Sequence, residues 1–125
     1  MKYKLLIIDD NSVDVKVLSE LLKDEYDVYC ENDGESGFIA AEEVLPDIIL
    51  LDILMPKSDG YETLGKLKNC EATKDIPVII ITGVSSTEAS LQLYNLGAAD
   101  YIIKPISSSN IEDSVRNQIK LLKSI

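Results

Sequence analysis

Residues Leu5–Asp14 read LLIIDDNSVD. Four aliphatic residues run directly into two adjacent aspartates, with no turn residue between them. Similar short runs recur at Ile48–Leu51 (IILL) and Val78–Ile81 (VIII). Each is apolar throughout rather than alternating, as expected for parallel strands covered by helices on both faces. Tyr26–Glu31 (YDVYCE) alternates and suits an edge strand, and Tyr101–Ile103 is a shorter candidate.

Helical periodicity fills the intervals. Apolar stripes at i, i+3 or i+4 spacing run through Val13, Val17 and Leu21 (with Leu18 and Leu22), and through Phe38, Ala41 and Leu45. Others run through Tyr61, Leu64 and Leu67, through Ala89, Leu93 and Leu96, and through Ile111, Val115, Ile119 and Leu122. Ser85-x-x-Glu88, Ser109-x-x-Glu112 and Asp59-x-x-Glu62 fit helix starts, and Gly97 fits a helix end. Five strands alternating with five helices predict an α/β fold with right-handed crossovers. The expected architecture is a doubly wound (βα)5 domain with a five-stranded parallel sheet in the order 2-1-3-4-5.

Composition narrows the function. The 125 residues fit one domain, spanning 1–125, and 46% hydrophobic content suits a packed core. No apolar run approaches the roughly 18 residues needed to cross a bilayer. Asp9 ends the first apolar run before a signal-peptide core of about 7 residues could form. The expectation is a cytoplasmic protein without membrane contact. Twenty-two acidic residues against twelve basic ones give a formal charge of −10, which disfavours direct nucleic-acid binding. Cys30 and Cys70 form no CxxC pair and read as free thiols. With no histidine, the usual hydrolase triads and His/Cys zinc sets are absent.

Open α/β sheets build their sites just beyond the carboxyl ends of the strands. At those positions stand Asp9 and Asp10, then Asp52, Thr82 and Lys104. Two unit charges about 4 Å apart repel by roughly 4 kcal/mol at an effective dielectric near 20, so three clustered carboxylates call for a cation. Mg²⁺ takes one or two carboxylates and keeps positions open for phosphate oxygens. Lys104 and Thr82 suit those oxygens as a point charge and a hydroxyl donor. One carboxylate could then act as a nucleophile toward phosphorus.

The ordered set Asp9-Asp10, Asp52, Met55-Pro56-x-x-Asp59-Gly60, Thr82-Gly83, Gly97-Ala98-x-Asp100-Tyr101 and Lys104-Pro105 resembles the receiver domains of two-component response regulators. The likeness covers nearly the whole chain and implies a flavodoxin-like, CheY-like fold. It implies that Asp52 is the phosphoacceptor, taking a phosphoryl group from a sensor histidine kinase or phosphotransfer protein. It further implies Mg²⁺ (or Mn²⁺) held by Asp9, Asp10, Asp52 and the Leu54 backbone carbonyl. Lys104, Thr82 and Gly83 would bind the phosphoryl group. Thr82 and Tyr101 would act as a switch, and Pro105 would follow a cis bond in a fixed turn.

Such a domain is no enzyme in the ordinary sense: it catalyses only its own phosphorylation and a slow autodephosphorylation. The switch would bias the helix 4–strand 5–helix 5 face toward a downstream effector domain or protein, or toward a phosphorylation-dependent homodimer. The chain is expected to be part of a longer regulator, or otherwise a stand-alone adaptor. Leu54 and Val84, both apolar, would leave the hydrolytic water unoriented. Tyr101 could equally be a half-buried strand residue. Asp59 and Asp100 read as a cap and a turn residue, and Lys57 and Ser58 as solvent-facing.

Two other readings are weaker. An FMN- or nucleotide-binding flavodoxin-like domain needs a Gly- or Ser/Thr-rich phosphate loop where this chain has Asp-Asp-Asn-Ser. A Mg²⁺-dependent phosphohydrolase with an aspartyl intermediate usually has a second acid two residues after the nucleophile, where this chain has Leu54.

Overall fold

The apolar runs form the middle of one parallel sheet. The computed structural model describes residues 2–56, 58–83 and 86–124. The strands are β1 (Tyr3–Ile8), β2 (Tyr26–Glu31), β3 (Ile48–Asp52), β4 (Leu54–Met55), β5 (Ser58–Asp59), β6 (Val78–Thr82) and β7 (Asp100–Ile103). The helices are α1 (Ser12–Leu22), α2 (Gly34–Val44), α3 (Gly60–Lys68), α4 (Thr87–Asn95) and α5 (Ser108–Lys123). The parallel sheet runs β2-β1-β3-β6-β7, with Leu5 opposite Ile48, Ile49 opposite Val78 and Ile79 opposite Asp100.

This order corrects the expected 2-1-3-4-5. Two short antiparallel strands, β4 and β5, lie between β3 and α3, so the strands expected fourth and fifth are the sixth and seventh. At two residues each, they are too short to carry any periodic signal.

Sheet pleat explains why the strands do not alternate. Leu5 and Ile7 point to one face and pack with Leu18 and Leu22 of α1 and Ile111, Val115 and Ile119 of α5. Leu6 and Ile8 point to the other and pack with Ala41 of α2, Leu64 and Leu67 of α3 and Leu93 of α4. Both faces are covered, so every position of β3 and of β6 is buried. Edge strand β2 keeps its polar and exposed positions, Cys30 among them, and both cysteines are free.

Several local expectations shift by a turn. Val13 and Val17 are 68% and 40% exposed, because α1 meets the sheet through Leu18 and Leu22. Leu45 and Leu96 are likewise exposed. The N-cap of α5 is Ser107 rather than Ser109, its side chain accepting from the Asn110 N–H. Helix α4 is capped by Ser86, and the expected Ser85 lies outside the described residues, as do Val84 and Lys57. Asp59 does cap α3. Ser58, expected to face solvent, is half-buried and its hydroxyl accepts from the Gly34 N–H at 2.9 Å.

Gly97 closes α4 with φ +106°, and the Ala98 N–H reaches back to the Leu93 carbonyl at 3.0 Å. No helix among the described residues is long and apolar enough to cross a membrane.

Candidate functional site

Strand β1 delivers the first acid. The Asp9 N–H donates to the Glu31 carbonyl at 3.1 Å, extending the β1–β2 pairing by one residue. The Asp9 side chain is therefore buried at the sheet's carboxyl edge, only 2% exposed, while Asp10 is exposed. Asn11 then starts α1, its side chain accepting from the Val13 and Asp14 N–H groups. The second buried acid is Asp52, the last residue of β3, 4% exposed. One oxygen from each of Asp9, Asp10 and Asp52 lies within 4.8 Å of the others.

Lys104 follows β7 and reaches across this cluster. Its Nζ lies 3.0 Å from Asp52 Oδ2, 3.3 Å from Asp9 Oδ2 and 2.7 Å from Asp14 Oδ2. Its own N–H donates to the Thr82 carbonyl at 2.8 Å, tying the end of β7 to the end of β6, and its bond to Pro105 is cis. Thr82 is fully buried as the last residue of β6. Gly83 follows, exposed, with open space where a Cβ would stand. Leu54 opens β4, with its side chain 55% exposed and its N–H donating to Asp52 Oδ1 at 3.0 Å. Tyr101 is half-buried on β7, against the core cluster that contains Leu93 and Ala98.

The electrostatics follow from burial. Burial raises the Asp9 carboxyl from 3.8 to about 6, helped by the Asp52 charge and opposed by the Asn11 hydrogen bond and by Lys104. Burial works against the Lys104 ammonium, yet its bonds to Asp14 and Asp52 and the charges of Asp52 and Asp9 outweigh that. They hold it above the ordinary lysine range.

The structure thus brings together Asp9, Asp10, Asp52 and Lys104; Thr82, followed by Gly83, is tied to Lys104 through its carbonyl, and Leu54 to Asp52 through its N–H. Asp14 was not foreseen as part of this group. It sits in the first turn of a helix, where an acid ordinarily serves the helix dipole. Its one signal was its place four residues beyond Asp10. The donors offered by the acids are all oxygen, which suits a hard divalent cation such as Mg²⁺ or Mn²⁺. Asp100 is structural: its carboxylate accepts from the Ser114 hydroxyl and from the Tyr101 N–H.

Residues 5–116 match the sequence model of the response regulator receiver domain. The chain belongs to the response regulator receiver family. Receiver domains are signalling phosphoacceptors that work with histidine kinases and effector domains in two-component systems. A similar curated protein is the response regulator PleD of Caulobacter vibrioides, 36% identical over 118 residues, which cover 94% of this chain and 26% of that protein. The chain spans between about a quarter and just over half of the length of the curated relatives it matches here.

Among solved structures, the receiver domain of sensor histidine kinase PA1611 from Pseudomonas aeruginosa PAO1 superposes with a TM-score of 0.87 at 25% identity. The match covers 96% of this chain and 99% of that one, and that receiver domain has a magnesium ion coordinated in its active site cleft. A CheY-like receiver domain protein from Methanospirillum hungatei JF-1 shares the fold with a TM-score of 0.91, at 24% identity over 99% of this chain and 98% of that one.

Proposed function

We propose that this receiver domain accepts a phosphoryl group on Asp52 from the phosphohistidine of a sensor kinase or phosphotransfer protein. The observation that carries the reading is the Lys104 ammonium 3.0 Å from the buried Asp52 carboxylate, inside a cluster of acids that a cation must neutralise. In the reaction a carboxylate oxygen of Asp52 forms a bond to phosphorus. The bond between phosphorus and the donor imidazole nitrogen breaks, and its electron pair leaves with the imidazole. Charge then spreads over the phosphoryl oxygens, and Lys104 is positioned to meet it.

Asp9, Asp10 and Asp52, with the Leu54 carbonyl, would hold Mg²⁺ or Mn²⁺, which neutralises the carboxylates and the incoming phosphate charge. Asp52 is pre-aligned, because its Oδ1 already accepts from the Leu54 N–H. Thr82 and Gly83 stand at the end of β6, where a phosphoryl group bound to Lys104 would be met by a hydroxyl and by an uncrowded backbone. Thr82 and Tyr101 then act as the switch. A change at Thr82 reaches β7 through the Lys104 N–H to Thr82 carbonyl bond, and so the face made by α4, β7 and α5. That face is where we place contact with a downstream effector domain or protein, or with a second phosphorylated copy.

The test is treatment with acetyl phosphate and Mg²⁺ followed by intact-mass measurement. One phosphoryl adduct is expected, absent without the metal and absent in Asp52→Asn. An adduct that persists in Asp52→Asn would overturn the assignment.

A further inference from the structure

The Lys104 ammonium has three N–H donors, and three carboxylates stand within reach of them: Asp14 at 2.7 Å, Asp52 at 3.0 Å and Asp9 at 3.3 Å. Asp14 makes the shortest contact and differs from the other two in every other respect. It belongs to α1 rather than to a strand end, and it lies outside the three acids whose oxygens stand within 4.8 Å of one another. Its side chain is 25% exposed, against 2% for Asp9 and 4% for Asp52. Its backbone is fixed by the Asn11 cap, so α1 presents the carboxylate to Lys104 from the rim.

A phosphoryl group on Asp52 adds oxygens that need the same ammonium. The donor on Asp52 passes to that group, and its several oxygens compete for the donors that Asp9 and Asp14 hold. The carboxylates of Asp9 and Asp52 are buried and each also accepts a backbone N–H through Oδ1, so they are held in place. Asp14 is the partner that can turn out to water.

Resting on the phosphoacceptor reading, we infer that Asp14 is a positioning residue that restrains Lys104 in the resting state and competes with the phosphoryl group for it. Its charge also adds to the negative potential that attracts the metal cation. Neutralising it therefore has two effects of opposite sign: weaker attraction for Mg²⁺, and a freer Lys104 for an anion on Asp52.

The experiment uses Asp14→Asn, which keeps the shape and an exposed polar group. Beryllofluoride serves as the phosphoryl mimic, with binding measured at saturating Mg²⁺, and Mg²⁺ binding is titrated separately. Asp14→Asn is expected to tighten beryllofluoride binding about three- to tenfold, the scale of one charge-assisted contact, and to weaken Mg²⁺ binding. Asp14→Glu is expected to stay close to wild type. In a Lys104→Met background the effect of Asp14→Asn on beryllofluoride should vanish.

A merely structural role would loosen both ligands together. Unchanged or weaker beryllofluoride binding in Asp14→Asn, or an effect that survives in Lys104→Met, overturns the inference while wild-type phosphorylation on Asp52 leaves the phosphoacceptor reading standing. A wild-type protein that takes up neither phosphoryl nor beryllofluoride overturns both.

Discussion

Replacing Asp9 by asparagine should stabilise the metal-free protein. The change is nearly isosteric, and an asparagine oxygen can keep the 2.9 Å bond from the Asn11 N–H. What is lost is a buried negative charge beside Asp52. In the folded protein burial and the Asp52 charge raise the Asp9 carboxyl from 3.8 to about 6. The folded state therefore holds this proton to higher pH than the unfolded state. The group's contribution to stability is most favourable below about pH 4, falls as pH rises through the window from about 4 to 6, and stays unfavourable above it.

A shift of two units corresponds to about 3 kcal/mol, and solvent screening at the rim trims this to about 1–3 kcal/mol. In chelator at pH 7.5, Asp9→Asn should thus raise the unfolding free energy by about 1–3 kcal/mol. The gain should shrink steadily as pH is lowered and be gone near pH 4. Added Mg²⁺ should stabilise wild type more than the variant. Equilibrium denaturant unfolding at several pH values, with chelator and with Mg²⁺, measures all three. A variant less stable than wild type at pH 7.5 in chelator, or a difference that does not vary with pH, would refute the reasoning.

Further outcomes follow from five single-site substitutions. Leu54 stands half-exposed beside Asp52, so Leu54→Asn should give the hydrolytic water a polar partner and speed loss of the phosphoryl group several-fold; an unchanged decay in a mass time course sinks the idea. Gly60→Ala would bring a Cβ to 2.5 Å from the Ile53 Cα, and should cost about 1–3 kcal/mol in denaturant unfolding. Gly83→Ala, with nothing within 4 Å of the new Cβ, should change stability by less than about 0.5 kcal/mol. On α1, Leu18→Ala should cost about 2–5 kcal/mol, whereas Val13→Ala should cost under about 0.5 kcal/mol.

The strands were legible because burial on both faces leaves one signature: LLII, IILL and VIII have no polar position to hide. The carboxyl-end rule then located Asp9, Asp52, Thr82 and Lys104 without any coordinates, since in a parallel sheet residues that end neighbouring strands end at the same rim. Helix faces were less legible. On α1 the apolar spacing continues from Leu18 and Leu22 back to Val13 and Val17, and only the angle of the helix on the sheet decides which pair is covered. Helix starts slipped where serines are consecutive, because Ser107 and Ser109 offer the same cap chemistry. The β4–β5 pair, at two residues a strand, has no periodicity at all. Asp14 escaped because its contact depends on where α1 turns relative to a lysine 90 positions later.

The contact between Lys104 and Asp9 joins positions 95 residues apart. Along the chain the acids of the cluster come first and the ammonium comes after all of them. A chain being synthesised therefore carries the whole acidic set, Asp52 included, well before the residue that meets the phosphoryl charge. The parallel neighbours of the sheet are all joined by crossovers, so the rim closes only when β7 docks beside β6. On the phosphoacceptor reading, competence to carry a signal arrives only with the docking of β7, and a copy stopped short of that strand gives the kinase no completed acceptor.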